Sequence, residues 1–114
     1  MDTRVRARAH DRQRLVARGY GQLFEALRDS LYTYDPLRLG SGDLARDEYG
    51  SPIATIIPRL EKCSTPKQIQ LVVEEEFRKH YPFQDVTLTN WEKLACDWWP
   101  IWSEFKWQRT LNLR

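Results

Sequence analysis

Thr65-Pro66-Lys67-Gln68-Ile69-Gln70-Leu71-Val72-Val73-Glu74-Glu75-Glu76-Phe77-Arg78-Lys79-His80-Tyr81 is the stretch that decides the fold class. A threonine followed by a proline is a helix start: the hydroxyl caps a backbone N–H, and the proline gives up an N–H that has no partner in the first turn. Ile69, Val72, Val73, Phe77 and Tyr81 then recur at three- and four-residue steps, with Glu74, Glu75, Arg78 and Lys79 on the other side. The spacing predicts a helix over ~66–80. Glu74 with Arg78 and Glu75 with Lys79 stand four residues apart in the favourable order, each pair contributing a few tenths of a kcal/mol. The run Glu74-Glu75-Glu76 reads as a solvated face.

Working outward, Ser51-Pro52 repeats the start signal, and Ile53, Ile56, Ile57 and Leu60 supply a buried stripe. A helix over ~52–62 is expected, capped by Ser51 and kinked at Pro58. Downstream, residues 82–88 hold Pro82, Phe83, Val86 and Leu88 and read as a loop packed on the body. Thr89-Asn90-Trp91-Glu92 fits a capping box for a last helix over ~90–110, bent near Pro100. Upstream, Leu15, Val16, Tyr20, Leu23, Phe24, Leu27 and Leu31 line one side of a first helix, ~13–33, which Gly19 and Gly21 weaken around Tyr20. Between the first two helices, Pro36 disfavours helical geometry at Asp35, and Gly40, Ser41 and Gly42 complete a turn-rich connection. The expectation is an all-α, single small domain of about four helices over 13–114, with an ordered acidic loop after helix 1. Residues 1–12 form a basic arm or helix extension.

That loop also carries a resemblance. Tyr34-Asp35-Pro36, then Gly42, then Asp47-Glu48-Tyr49 resembles the signature of a family of small helical bacterial proteins of unknown function, an aromatic-Asp-Pro, a Gly and Asp-Glu-Tyr. The likeness runs from the end of helix 1 to about Tyr81, and departs from the pattern at Ala45, Gly50 and Pro52. It implies a helical fold and no particular reaction.

At 114 residues, 41% apolar and 30% charged, the chain has the composition of one globular domain. No apolar run approaches the ~20 residues of a membrane span, and the expected address is the cytoplasm. Cys63 and Cys96 have no metal-ligand spacing and read as core thiols. Six arginines fall in residues 1–18 against two aspartates, leaving twelve basic and fourteen acidic groups in the rest, so the net charge of +2 hides a slightly acidic body.

Three constellations bear on function. All five tryptophans follow residue 90. On a helix, Trp91, Leu94, Trp98, Trp102 and Phe105 share a core sector, which leaves Trp99 and Trp107 pointing away as candidates for a partner surface. Asp35, Asp43, Asp47 and Glu48 put four carboxylates in one connection. Their spacing does not match a calcium loop, and turn and helix-start roles account for them. Asp35, Pro36, Gly42 and Tyr49 are therefore read as structural, with Asp43, Asp47 and Glu48 offered as possible partner contacts. The arginines at 4, 6, 8, 12, 14 and 18 suit nucleic-acid phosphates as a rival reading, although on a helix they spread around the circumference. No Ser-His-Asp set and no phosphate-binding glycine loop can be assembled. The expectation is a non-catalytic protein-binding module without cofactor, metal or membrane. Its specific form is an antitoxin-like immunity protein that occludes a toxin domain. The alternatives are nucleic-acid binding through the arginines and a small enzyme built on the acidic loop.

Overall fold

A computed structural model describes residues 13, 14, 16, 18–40, 42 and 47–112. Four helices carry the fold: α1 (Gly21–Tyr34), α2 (Gly50–Leu60), α3 (Pro66–His80) and α4 (Trp91–Asn112). Among the described residues there is no strand. The fold class expected from the sequence is the one observed. The proposed arm, residues 1–12, and Leu15 lie outside the described residues.

Each helix boundary has a local cause. The first helical pattern does not run unbroken from 13: Gly19 takes φ +86°, a left-handed conformation that glycine adopts without steric cost, and α1 starts only after Tyr20. α2 begins earlier than expected, at Gly50, following helical residues at Asp47 and Glu48 and a turn at Tyr49. Ser51 is therefore inside the first turn and caps nothing, and the helix continues through Pro58 to Leu60. α3 matches its signal, with Thr65 Oγ1 accepting from the Gln68 N–H at 3.2 Å. The cap of α4 is Asn90, whose side-chain oxygen accepts from the Lys93 N–H at 3.0 Å, and not Thr89. The Thr89–Glu92 pairing fails because the chain enters the helix one residue later. α4 then continues through Pro100.

The helices pack as a ring, α1 against α2 and α4, and α3 against α2 and α4. Phe77 lies 5.1 Å from Trp91 between ring centres, Tyr20 stacks on Phe105 at 5.5 Å, and the Trp98 indole donates to Ser30 Oγ at 2.9 Å. Leu27, Leu31, Ile53, Ile56, Ile57, Leu60, Ile69, Val73, Phe77, Leu94, Trp98 and Trp102 close the core. The start of α2 crosses close to α1: a Cβ at Gly50 would stand 3.1 Å from the Phe24 ring. In the connection 82–88 only Val86 packs inward, its carbonyl accepting from the Trp91 indole at 2.9 Å, while Phe83 and Leu88 are exposed.

The glutamate run is not uniformly solvated. Glu76 is buried, and Arg59 from α2 donates to it at 2.7 Å and to Glu75 at 3.3 Å. A helical face of three acids places one of them toward the neighbouring helix, and an arginine there satisfies it. Removing Arg59 takes from the buried Glu76 carboxylate its one close partner and leaves it Lys79 and His80 at 3.8 Å, whereas removing the Glu76 charge leaves Arg59 with Glu75 and solvent. Arg59→Ala is expected to cost about 2 kcal/mol and Glu76→Gln less than half of that. Urea unfolding of both variants checks this, and equal losses would mean that the pair behaves as a surface contact.

Candidate functional site

The loop after α1 is organised by one carboxylate. Asp35 ends the helix in a left-handed conformation, φ 50°, with its N–H on the Leu31 carbonyl at 2.8 Å. Its side chain then receives the N–H of Leu39 (2.8 Å), the N–H of Gly40 (2.9 Å) and the hydroxyl of Tyr49 (2.5 Å). Tyr49 has no exposed surface, and its oxygen also accepts from the Leu37 N–H at 3.0 Å. Pro36 is buried beneath the turn, and the Gly42 N–H donates to the Tyr32 hydroxyl at 3.0 Å. Burial pushes the Asp35 carboxyl upward, but the bonds from Tyr49, Gly40 and Leu39 and the charge of Arg38 outweigh it and hold it below the usual range. Burial and the bond to Asp35 push the Tyr49 hydroxyl up. Asp35, Pro36, Gly42 and Tyr49 thus form a staple from the end of α1 to the start of α2.

The carboxylates expected to act with them divide. The Tyr81 hydroxyl contacts the Glu48 side chain at 3.1 Å, which ties the start of α2 to the end of α3. Asp47 is exposed and makes no hydrogen bond among the described residues. Asp43 lies outside them. Among the described residues no three histidine, cysteine or acidic side chains gather as a metal-ligating group.

A second polar cluster was not legible beforehand. The His80 Nε2 sits 3.0 Å from Thr55 Oγ1 and 3.8 Å from a Glu76 oxygen. The residue types suggest a nucleophile, a base and an orienting acid, but the bond directions forbid it. The Thr55 hydroxyl already donates to the Pro52 carbonyl at 2.9 Å, so it accepts from His80, and both neighbours meet the same ring nitrogen. Burial holds the His80 ring below its ordinary value against the pull of Glu76 and Glu48, so it does not act as the charged helix end that its position suggests. Of the two thiols, Cys63 is buried with its S–H toward the Arg59 carbonyl at 3.6 Å, and burial raises its pKa over the opposing effects of Arg59 and Lys106. Cys96 is exposed on α4, contrary to its reading as a core thiol.

The outer face of α4 is the remaining site. Trp91, Trp98 and Trp102 are buried, Trp99 is half-buried against the edge of the core, and Trp107 is 63% exposed. The two tryptophans expected to point outward therefore differ: the Lys106 ammonium lies 5.6 Å from the Trp99 ring centre and covers it, while Trp107 stands clear. Leu111, four residues on, is 46% exposed, and Pro100, seven residues before Trp107, is exposed on the same side. An apolar ridge thus runs along a helix whose opposite side is locked into the core.

Comparison with known proteins finds no match: no family model, no curated protein and no solved structure is similar to this chain.

The staple has a testable pH signature. Asp35 has a lowered folded-state pKa, so its contribution is present above the unfolded value of about 3.9 and is lost as pH falls through the folded value. Asp35→Ala is expected to cost about 2 kcal/mol at pH 7, with the gap to the native chain closing below about pH 4. Asp47→Ala should stay within about 0.5 kcal/mol. Thermal melts between pH 7 and 2.5 decide it, and a gap that does not change with pH would remove the carboxylate from the explanation.

Proposed function

We propose that this chain is a non-catalytic protein-binding module that works through the outer face of α4. The observation that carries the reading is Trp107: a tryptophan 63% exposed, on a helix held in place by three buried tryptophans, next to the exposed Leu111. A large aromatic side chain kept in water contributes little to the fold, whereas on a rigid helix it loses little freedom when a partner covers it. Interfaces draw most of their affinity from such residues. The specific form of the proposal is an immunity-like protein that occludes a partner enzyme. A small rigid helical domain with one apolar ridge supports that role, because occlusion requires a fixed shape and no chemistry of its own. The resemblance of the Asp35–Tyr49 segment to small helical bacterial proteins fits the same picture, with the signature residues serving the scaffold. The arginines of the N-terminal arm lie outside the described residues, and no observation favours the nucleic-acid alternative.

Trp107→Ala should weaken the complex with a captured protein partner by about 2 kcal/mol, near thirty-fold, and leave the melting temperature unchanged. Trp99→Ala should lower the melting temperature as well, since that ring borders the core. Capture from native lysate with and without nuclease, followed by calorimetric titration of the purified partner, provides the measurement. Loss of all captured protein after nuclease treatment would overturn the proposal.

A further inference from the structure

We infer that the occupant of the α4 ridge is a cationic protein surface, an inference that rests on the proposed binding role of this ridge. The net charge of the chain, +2, points the other way, but it is not distributed evenly. α4 carries three acids, Glu92, Asp97 and Glu104, and three bases, Lys93, Lys106 and Arg109. At about 100° per residue all three acids fall within roughly 80° of Trp107, and all three are exposed.

The bases are placed differently. Lys106 and Arg109 step away from Trp107 by roughly 100° and 160°. The Lys106 ammonium lies over the rings of Trp99 and Trp102, at 5.6 and 5.3 Å. The Arg109 guanidinium lies 4.5 Å from the Tyr20 ring centre, 3.9 Å from a Glu61 oxygen and 3.4 Å from the Arg18 carbonyl. Lys93 is on the outer side, but its ammonium turns over the Tyr34 ring at 5.7 Å. All three cations of the helix are engaged by the protein's own aromatic rings. The carboxylates are spread along the outer face, about 5 Å (Glu104), about 15 Å (Asp97) and about 22 Å (Glu92) along the axis from Trp107, with Glu104 accepting from Gln108 at 3.4 Å, and Lys93 is the one base of α4 among them. Asp97 keeps its place by accepting from the Tyr34 hydroxyl, whose pKa burial and this bond push up to about 12.

An outer helix face that carries three carboxylates and one lysine along the line of Trp107 and Leu111 selects a partner with the opposite pattern, an elongated apolar surface lined by lysine or arginine. It repels nucleic acid and anionic lipid from this face. Rim charges of this kind set the rate of association and its salt dependence more than the final affinity.

Three synthetic amphipathic helical peptides of one length test it, each with the same leucine face and with lysine, glutamine or glutamate on the other. The lysine peptide should bind best, weaken several-fold between ~0.05 and ~0.5 M salt, and quench or shift the fluorescence of the native chain. In Glu92→Gln/Glu104→Gln, which spares the Asp97–Tyr34 bond, its affinity should fall about tenfold, to that of the glutamine peptide, at an unchanged melting temperature. Trp107→Ala should weaken all three peptides. Equal binding of the three peptides, still weakened by Trp107→Ala, would overturn the cationic occupant and leave the ridge as a binding surface. Absence of binding, or binding indifferent to Trp107→Ala, would remove both.

Discussion

Burying three indoles on one side of a single helix is the constraint around which this molecule is arranged. Trp91, Trp98 and Trp102 each bring a large apolar area and one N–H that prefers a partner once it leaves water. The Trp91 N–H finds the Val86 carbonyl, which draws the 82–88 connection down onto α4. The Trp98 N–H finds Ser30, which sets α1 alongside. Among the described residues the Trp102 N–H has no partner, and it lies where the Phe105 and Trp102 rings stack. α3 completes the enclosure through Phe77 against Trp91, and α2 is held to α3 by Arg59 on Glu76.

The Asp35–Tyr49 staple solves a different problem, that of a chain reversing direction without regular structure. A left-handed aspartate and a left-handed Arg38, φ 54°, both carry backbone strain, which persists because the Asp35 carboxylate bonds two amides and a buried phenol. The acidity of the loop is thereby a property of its architecture. What could be taken for a catalytic or metal-holding group of carboxylates is, at Asp35 and Glu48, the acceptor side of hydrogen bonds from tyrosines.

Much of the fold was readable from residue spacing because each helix buries one stripe, and stripes at three- and four-residue steps are visible in a single sequence. The α3 boundaries follow from Thr65 and Pro66, whose effects are local. Ser51 and Thr89 misled for the same reason, since each is a competent cap in isolation and the neighbouring turn at Tyr49 and the Asn90 cap took precedence. The buried Glu76 could not be read, because which of three consecutive glutamates turns inward depends on where α2 delivers Arg59. The core tryptophans and the exposed Trp107 were separable by angle alone. Trp99 was not, because a lysine one helical face away decides whether that ring is covered. The same holds for charge: a sum over the chain conceals the fact that aromatic rings have gathered the cations of α4.

Trp107 also makes the chain its own optical reporter. Three of its five indoles are buried, so their emission reports on the integrity of the bundle, Trp99 is half-buried at the edge of the core, and Trp107 is the one that lies mostly in water at the outer face. An event that dries that face without disturbing the interior changes chiefly Trp107 and leaves the three buried indoles as they were. Loss of the fold instead carries the three buried indoles into water, and the two kinds of spectral change can be told apart without attaching a label.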